Sequence, residues 1–434
     1  MEHIPMDSSH QKLVKTTCPI RQLGDGEYNH FFGYYNKSPW SQDGRYVLAD
    51  RVPMMDADLR PDLSAEVGYF DTRNDDEFHV IGETTTWNWQ MGCQLQWLAG
   101  KPGRQAIYNV RNDKPNGRYP SFGAVIHNVD SGENRFLPDP IYSVAPNSDY
   151  AITVDFSRLF ITHETIGYCE PNDKTGQVPL CPSDDGLCRV NLDSGETSVL
   201  VSYQDLSQFY HRDSMNDAIH WISHIEINPA STRILFLHRW TRRVEDETCF
   251  LHRLMTINPD GSDMRLLEDS DHPLPQLEDN FDPNAVGTYD YEKSEYQISH
   301  PMWRDNKHIV VWGPHNNAIH YQLYHDAPDG EVNVISGDLL TENGHMSYSP
   351  VNTRWLLTDT YPDSETNIRK LLIYDAQKKL AHEIGEFYTS DLKKVSRCDL
   401  HPRWSHDGKQ VCIDSVHEGV RQMYILDVRS VVES

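Results

Sequence analysis

Four histidines occupy equivalent points of a recurring unit. They are His224 in HIEINPASTRILFLH, His300 in HPMWRDNKHIVVWG, His345 in HMSYSPVNTRWLLTD and His401 in HPRWSHDGKQVCIDS. Imidazole binds divalent transition metals and also accepts a proton near neutral pH. If the repeats close into a ring, the four rings converge at one end of its axis. Such a cluster suits a divalent ion, with zinc, manganese and calcium all open, or a general base. Cys398 and Asp399, in RCDLHPRW, precede His401 and offer a thiolate and a carboxylate. The reading places His300, His345, Cys398 and His401 around the metal, with His224 as a further ligand or as base. The competing reading makes each histidine a buried residue that hydrogen-bonds a neighbouring strand.

Other residues could join that chemistry. Tyr142 opens YSVAPNSDYAITVDF and Arg158 follows one strand later in DFSRL, so a ring would bring both to one channel mouth. The run HFFGYYNKSPW holds Tyr34 and Tyr35, whose rings could stack on a sugar or pack in the core. Arg239, in LHRWTRR, is a candidate substrate cation or a solvated edge residue. No GxGxxG, P-loop or GxSxG pattern is present, so nucleotide and serine-hydrolase readings have no motif to stand on. The eight cysteines form no CxxC pair, and Cys181 and Cys188 are the one local pair that could bridge. Free thiols in a reducing compartment are the plainer expectation.

The elements that must position these groups repeat seven times. Each copy carries an aromatic or apolar pair, a turn of the Ser-Pro-x-Asp-Gly kind, and a hydrophobic run. Copies begin near Ser38, Leu95, Tyr142, His224, His300, His345 and His401. A second strand–turn–strand unit follows each, as in VGYFDTRNDDEFHVIG and AVIHNVDSGENRFLP. Asp-Gly and Asn-rich turns between β-branched runs are hairpin signals. Two hairpins per copy predict four antiparallel strands, and seven copies predict an all-β, seven-bladed β-propeller over residues 1–434 as one domain. A strand near residues 18–24 is expected to close the ring. Segments near 202–216 and 266–296 lack strand pattern and read as insertions on one face.

Composition bounds the function. The chain has 434 residues with 39 basic against 65 acidic side chains, a net charge of −26. An acidic surface argues against nucleic acid and against anionic membranes as partners. No window approaches 18 uninterrupted apolar residues, the length of a membrane span. The opening MEHIPMDSSHQKLVK has no apolar signal region, so a cytoplasmic protein is expected, or a secreted or periplasmic one whose signal was removed.

The motifs GYYNKSPWS, WNWQMGCQLQWL, SHIEINP, FLHRW, GHMSYSP, LTDTYPD and RCDLHPRWSHDGK together resemble the oligogalacturonate lyase-like propellers. That group includes oligogalacturonate, ulvan and rhamnose–glucuronate lyases, and the resemblance runs from about Asp25 to Val428. It implies β-elimination at a uronic acid. A base removes the C5 proton, a cation or metal neutralises the carboxylate, and an acid protonates the leaving oxygen at C4. In the oligogalacturonate lyases a metal, typically manganese, is held by His and Gln beside a His base. His300 resembles that base and His345 and His401 resemble ligands, while Asp399 stands where another ligand His is expected. In the ulvan and rhamnose–glucuronate lyases a Tyr and an Arg sixteen residues apart work with two His. Tyr142 and Arg158 match that pair and its spacing. Where that group has its two His, this chain offers Gln90, Cys93, Gln94 and Asn109, so either Asn109 and a Gln take over their roles, or the substrate differs, or the activity is lost.

The expectation is therefore a lyase that cleaves a uronic-acid-containing oligosaccharide, as a monomer or small homo-oligomer. Tyr142 would be acid/base, Arg158 would neutralise the carboxylate, and His224 and Asn109 would assist. Tyr34, Tyr35, Gln90 and Arg239 would bind substrate. The alternative is a non-catalytic TolB-like propeller that binds a sugar or a protein. A hydrolase with paired carboxylates has no pair singled out by position.

Overall fold

A computed structural model describes residues 12–112, 116–171, 178–242, 250–269, 297–316, 318–392 and 394–434. The strands group into seven small sheets. Blade 1 contains Asn29–Phe31, Tyr46–Val52, Ala65–Asp71 and Glu77–Thr84; blade 2 contains Gln96–Trp97, Gln105–Arg111, Phe122–Asn128 and Asn134–Leu137. Blade 3 contains Ser143–Val144, Tyr150–Thr153, Gly186–Asn191 and Thr197–Ser202. Blade 4 contains Ile219–Ile227, Ile234–Thr241, Leu251–Ile257 and Arg265–Asp269. Blade 5 contains Ser299–Trp303, His308–His315, Ala318–His325 and Val332–Val334. Blade 6 contains Ser347–Tyr348, Trp355–Asp359, Ile368–Asp375 and Leu380–Tyr388, and blade 7 contains Arg403–Trp404, Gln410–Ser415 and Gln422–Asp427. Ile20–Gln22 completes blade 7 antiparallel to Gln422–Asp427, and Lys12–Lys15 adds a fifth, parallel strand to blade 6. The seven-bladed propeller expected from the repeats is the fold.

Local sequence explains why the repeats fold alike. In blades 1 and 7 the turn before the second strand is Ser-x-Asp-Gly. Ser41 Oγ donates to Asp43 at 2.6 Å and Ser405 Oγ to Asp407 at 2.7 Å. Gly44 and Gly408 both take φ 68°, the left-handed conformation that glycine adopts without strain. The tryptophan of the innermost strand hooks the preceding blade. Trp97 donates to the Pro39 carbonyl, Trp303 to that of Glu226 and Trp404 to that of Ser347. A second latch runs to the following blade, from an Asp or Asn at or near the end of the second strand. Asp50 accepts from the Cys93 N–H, Asn109 from the Ile141 N–H, and Asp414 from Phe32 and Gly33. Every residue of the first three strands of blade 4 is buried, since neighbouring blades cover both faces.

Three local expectations are corrected. Arg265–Asp269 is the outer strand of blade 4, so that part of the expected insertion is regular sheet; residues 270–296 lie outside the described residues. Arg158 sits on a helix, Phe156–Thr162, whose N-terminus is capped by the Asp155 carboxylate accepting from the Ser157 N–H. The final repeat ends in a short helix, Arg429–Val432, and the N-terminal strand supplies its missing fourth strand. The segment near 202–216 carries the helix Tyr203–Gln208 and no strand beyond Ser202. Cys181 and Cys188 are both free thiols. No helix among the described residues is long and apolar enough to cross a membrane.

Candidate active site at one end of the central axis

The four histidines meet. Ring centroids lie 6.1 Å apart for His224 and His300, 4.1 Å for His300 and His345, and 4.4 Å for His345 and His401. The backbone makes this possible at a local cost. His224, His300 and His401 take φ of 52°, 52° and 42°, and Gln94, at the equivalent position of blade 2, takes 57°. Left-handed backbone at a non-glycine residue costs about 1–3 kcal/mol. The strand register also slips between Ser223 and Glu226 and between Ser299 and Met302. Such bulges re-aim a side chain that regular pleating would hold in the sheet face. Strain repeated at one position in four blades is the mark of a built site.

Tyr34 and Tyr35 fill the space between the rings. Tyr34 shares a 2.8 Å hydrogen bond with His224 Nε2, and its ring centroid is 4.8 Å from His401. Tyr35 donates to the Pro301 carbonyl at 3.2 Å and packs against His300 and His345. Both rings are buried, and burial, the largest cause, holds both phenols well above the usual range. They plug the axis and do not offer a face for a sugar to stack on. Gly33 lets this loop enter. It takes φ 115°, and a Cβ there would lie 2.6 Å from the Met91 carbonyl carbon.

His345, Asp399 and His401 place one potential ligand atom each within 4.8 Å of one another. The surroundings fit a metal. His401 Nδ1 bonds the Gly33 carbonyl at 2.8 Å, which leaves Nε2 buried without a hydrogen-bond partner. His345 Nδ1 lies 3.0 Å from Asp359, whose carboxylate also accepts the His345 N–H at 2.7 Å. Metal-ligating histidines are held this way, with the second ring nitrogen on a carboxylate or carbonyl. Burial pushes the Asp399 carboxyl up, but Arg397 and Arg369 outweigh it and hold it well below the usual range. Arg369 reaches Asp399 at 2.7 Å and Arg397 at 2.9 Å. Burial first, then His345, keeps His401 and His300 well below the usual imidazole range, so both are neutral at pH 7. Neutral imidazole is the ligand form and the base form.

The expected site residues divide sharply. Cys398 does not belong to the metal group: its thiol points to the Asp399 carbonyl at 3.9 Å, and burial pushes it up to about 11. Asp399 groups with the two histidines and the neighbouring thiol does not, so Cys398 and Asp399 differ in direction although they are adjacent in sequence. His300 stands beside the group; its Nδ1 contacts Ser299 and Asn343, and among the described residues its Nε2 has no hydrogen-bond partner. His224 is engaged at both ring nitrogens, by Tyr34 and by Ser223. Tyr142 is fully buried, with its hydroxyl accepting from the His224 N–H at 3.0 Å, so it supports the bulge and does not reach the cluster mouth. Arg158 binds the His220 and Pro179 carbonyls, pairs with Asp185 and covers the Tyr203 ring, and it touches none of the four clustered histidines. Asn109 is consumed as a latch: its amide donates to Ile141 and Tyr168 and accepts from the Ile141 N–H. Gln90 donates to the Arg397 carbonyl and shapes that loop. Arg239 lies under the cluster with its guanidinium over Phe250 and 3.4 Å from His163. Its charge is the second cause, after burial, of the low position of His224. Arg397, Asn343 and Tyr361 were not singled out in the sequence, although Arg397 stands two residues before Asp399.

No protein-family model matches the chain, and no curated protein matches it. Solved structures do. The fold is that of oligogalacturonate lyase. One such structure, described as oligogalacturonate lyase in complex with manganese, superposes with a TM-score of 0.62 and 14% identity, over 96% of this chain and 95% of that one. The oligogalacturonate lyase of Vibrio parahaemolyticus superposes with a TM-score of 0.60, also at 14% identity and the same coverage. The match in coverage means that the oligogalacturonate lyase fold accounts for nearly the whole molecule.

Proposed function

We propose that the protein cleaves a uronic-acid-containing oligosaccharide by β-elimination and leaves an unsaturated sugar. The observation that carries this reading is the joining of three chemical elements at one end of the axis. They are a neutral unengaged imidazole, a His–Asp–His group suited to a divalent ion, and arginines close by. The two oligogalacturonate lyase structures of the same fold support it, one of them described with manganese.

In this reading His345, Asp399 and His401 would hold the ion, and a bound divalent ion supplies charge to a uronate carboxylate. His300 is the base. Asn343 and Ser299 fix its Nδ1, and its free Nε2 takes the C5 proton. Arg239 and Arg397 replace Arg158 as the cations that favour a carboxylate at the site. Tyr34, kept neutral and hydrogen-bonded to His224, is the proton donor for the leaving oxygen.

The second reading, a propeller that binds a sugar or protein without catalysis, draws on the burial of the same imidazoles. His300, His345 and His401 are 4%, 1% and 2% exposed. One assay separates the two. Purified protein is loaded with manganese and offered polygalacturonate-, ulvan- and rhamnoglucuronate-derived oligosaccharides, and near-ultraviolet absorbance of the C4–C5 double bond is followed. Rising absorbance that His300→Ala lowers by at least a thousandfold is the expected result. Saturable binding with no absorbance from any uronide would overturn the lyase reading.

A further inference from the structure

A cavity of about 460 Å³ opens among blades 1 to 4, with His406 of blade 7 at its wall, and none of the four clustered histidines lines it. Trp40, Trp97 and Val144 give it apolar walls, and its ionisable lining residues are Lys37, Glu226, Lys101, Arg104 and His406. Counted back three residues from Trp40, Lys37 aligns in sequence with the histidines, although its backbone is not left-handed as at His224, His300 and His401. Its ammonium is poorly served. The nearest polar contact is Asn36 Oδ1 at 3.4 Å, and the Tyr142 ring centroid lies 5.2 Å away. Glu226 accepts the Trp303 N–H on one carboxylate oxygen and is otherwise turned to the cavity.

We propose that this cavity binds a small carbonyl compound, an aldehyde or 2-keto acid, as a reversible Schiff base on Lys37. The proposal stands apart from the uronide reading and does not need it. An amine attacks a carbonyl only through its free lone pair, so an ordinary protonated surface lysine reacts slowly at pH 7. Burial pushes Lys37 down to about 7, against the pull of Glu226, and burial pushes Glu226 up to about 8. Near pH 7 a large share of Lys37 is therefore free amine and a large share of Glu226 is carboxylic acid, both on the wall of one cavity. In the first step the N–C bond forms, the carbonyl π pair moves to oxygen, and that oxygen takes the proton released by nitrogen. In the second the Glu226 carboxyl protonates the hydroxyl, which leaves as water while the nitrogen lone pair closes C=N. No oxidant or reductant is consumed. Hydrolysis reverses both steps.

The test uses full-length protein and glyoxylate, with borohydride added to trap any imine, and peptide mass mapping to locate it. Lys15, raised above its ordinary range by Glu386 and Glu383, is the internal control. At pH 7 Lys37 should be labelled at least tenfold faster than Lys15, with a rate that climbs through a midpoint near pH 7. Lys37→Arg should lose the adduct with its circular dichroism unchanged. Glu226→Gln should retain Lys37 labelling but slow it several-fold. Equal labelling of Lys37 and Lys15, or a Lys37 rate still climbing above pH 9, would overturn the proposal. So would an unchanged rate in Glu226→Gln. If Lys37→Arg fails to fold, the wild-type pH profile alone decides the matter.

Discussion

Arg397→Ala should strengthen metal binding. Asp399 is the one carboxylate of the candidate metal group, and two guanidiniums already claim it. Arg369 holds Oδ1 at 2.7 Å and Arg397 holds Oδ2 at 2.9 Å. An ion entering between His345 and His401 must share or displace one of these contacts. A hydrogen bond to a charged group is worth about 1.5–3 kcal/mol. The Arg397 side chain is 30% exposed, so water screens its pairing and the lower figure applies. Removing it frees one oxygen and one positive charge from the site. About 1.4 kcal/mol is tenfold in affinity, so the manganese Kd should fall by about tenfold. Titration calorimetry on metal-stripped protein at pH 7.5 measures it, with Asp399→Asn as the opposite arm and Cys398→Ser as the neutral one. An unchanged or weaker manganese affinity in Arg397→Ala would refute the reasoning, because Arg397 would then orient Asp399 for the metal and not compete with it. A loss of affinity in Cys398→Ser would restore the thiolate to the ligand set.

Three further outcomes follow from the same contacts. Asn109→Ala removes an amide that both donates to and accepts from Ile141, so it should cost about 2–4 kcal/mol in urea denaturation, while metal affinity of the folded protein stays as in wild type. Gly33→Ala should destabilise the axial plug, since its Cβ would meet the Met91 backbone; loss of the near-ultraviolet dichroism of Tyr34 and Tyr35 with the far-ultraviolet signal retained is the expected signature. Burial raises Asp50 to about 7, above its unfolded value of 3.8. Its contribution is then complete below about pH 4 and is lost as pH rises through 7, because the unfolded chain ionises first. Asp50→Asn, which carries no charge at any pH, should flatten stability between pH 4 and 8; an unchanged slope in chemical denaturation would count against the assignment.

The ring of blades and the meeting of four histidines were legible because both are written as repetition. His224, His300, His345 and His401 share one place in one repeat, and a closed repeat converts that place into proximity. What repetition does not carry is direction. Cys398 and Asp399 both stand close to His401 in sequence, yet only the Asp399 carboxylate reaches the histidines, and the thiol turns to the Asp399 carbonyl. Arg158 keeps the spacing from Tyr142 that the resemblance called for, but Asp155 caps a helix there and turns the guanidinium toward backbone carbonyls. Asn109 read as a stand-in for a catalytic residue because its role as a latch is visible only beside Asp50 and Asp414. The left-handed backbone at three histidines left no trace in the letters, since strain of this kind is ordinarily signalled by glycine. Arg397 was overlooked because its claim to the site comes through Asp399 alone.

The closing strand has a consequence for how the molecule is made. Ile20–Gln22 leaves the ribosome long before its partner Gln422–Asp427, with blades 1 to 6 made in between. The outer strand of blade 7 therefore waits unpaired while blades 1 to 6 are made, and Lys12–Lys15 likewise waits for Leu380–Tyr388. During that interval six blades' worth of chain can stack as an open arc with both end faces uncovered, a state prone to pairing with other chains. The metal group shares that timing, because Asp399 and His401 follow blade 6 in the chain and are made with blade 7. Ion binding and ring closure are thus joined in time, and an ion captured early would have only His345 to hold it.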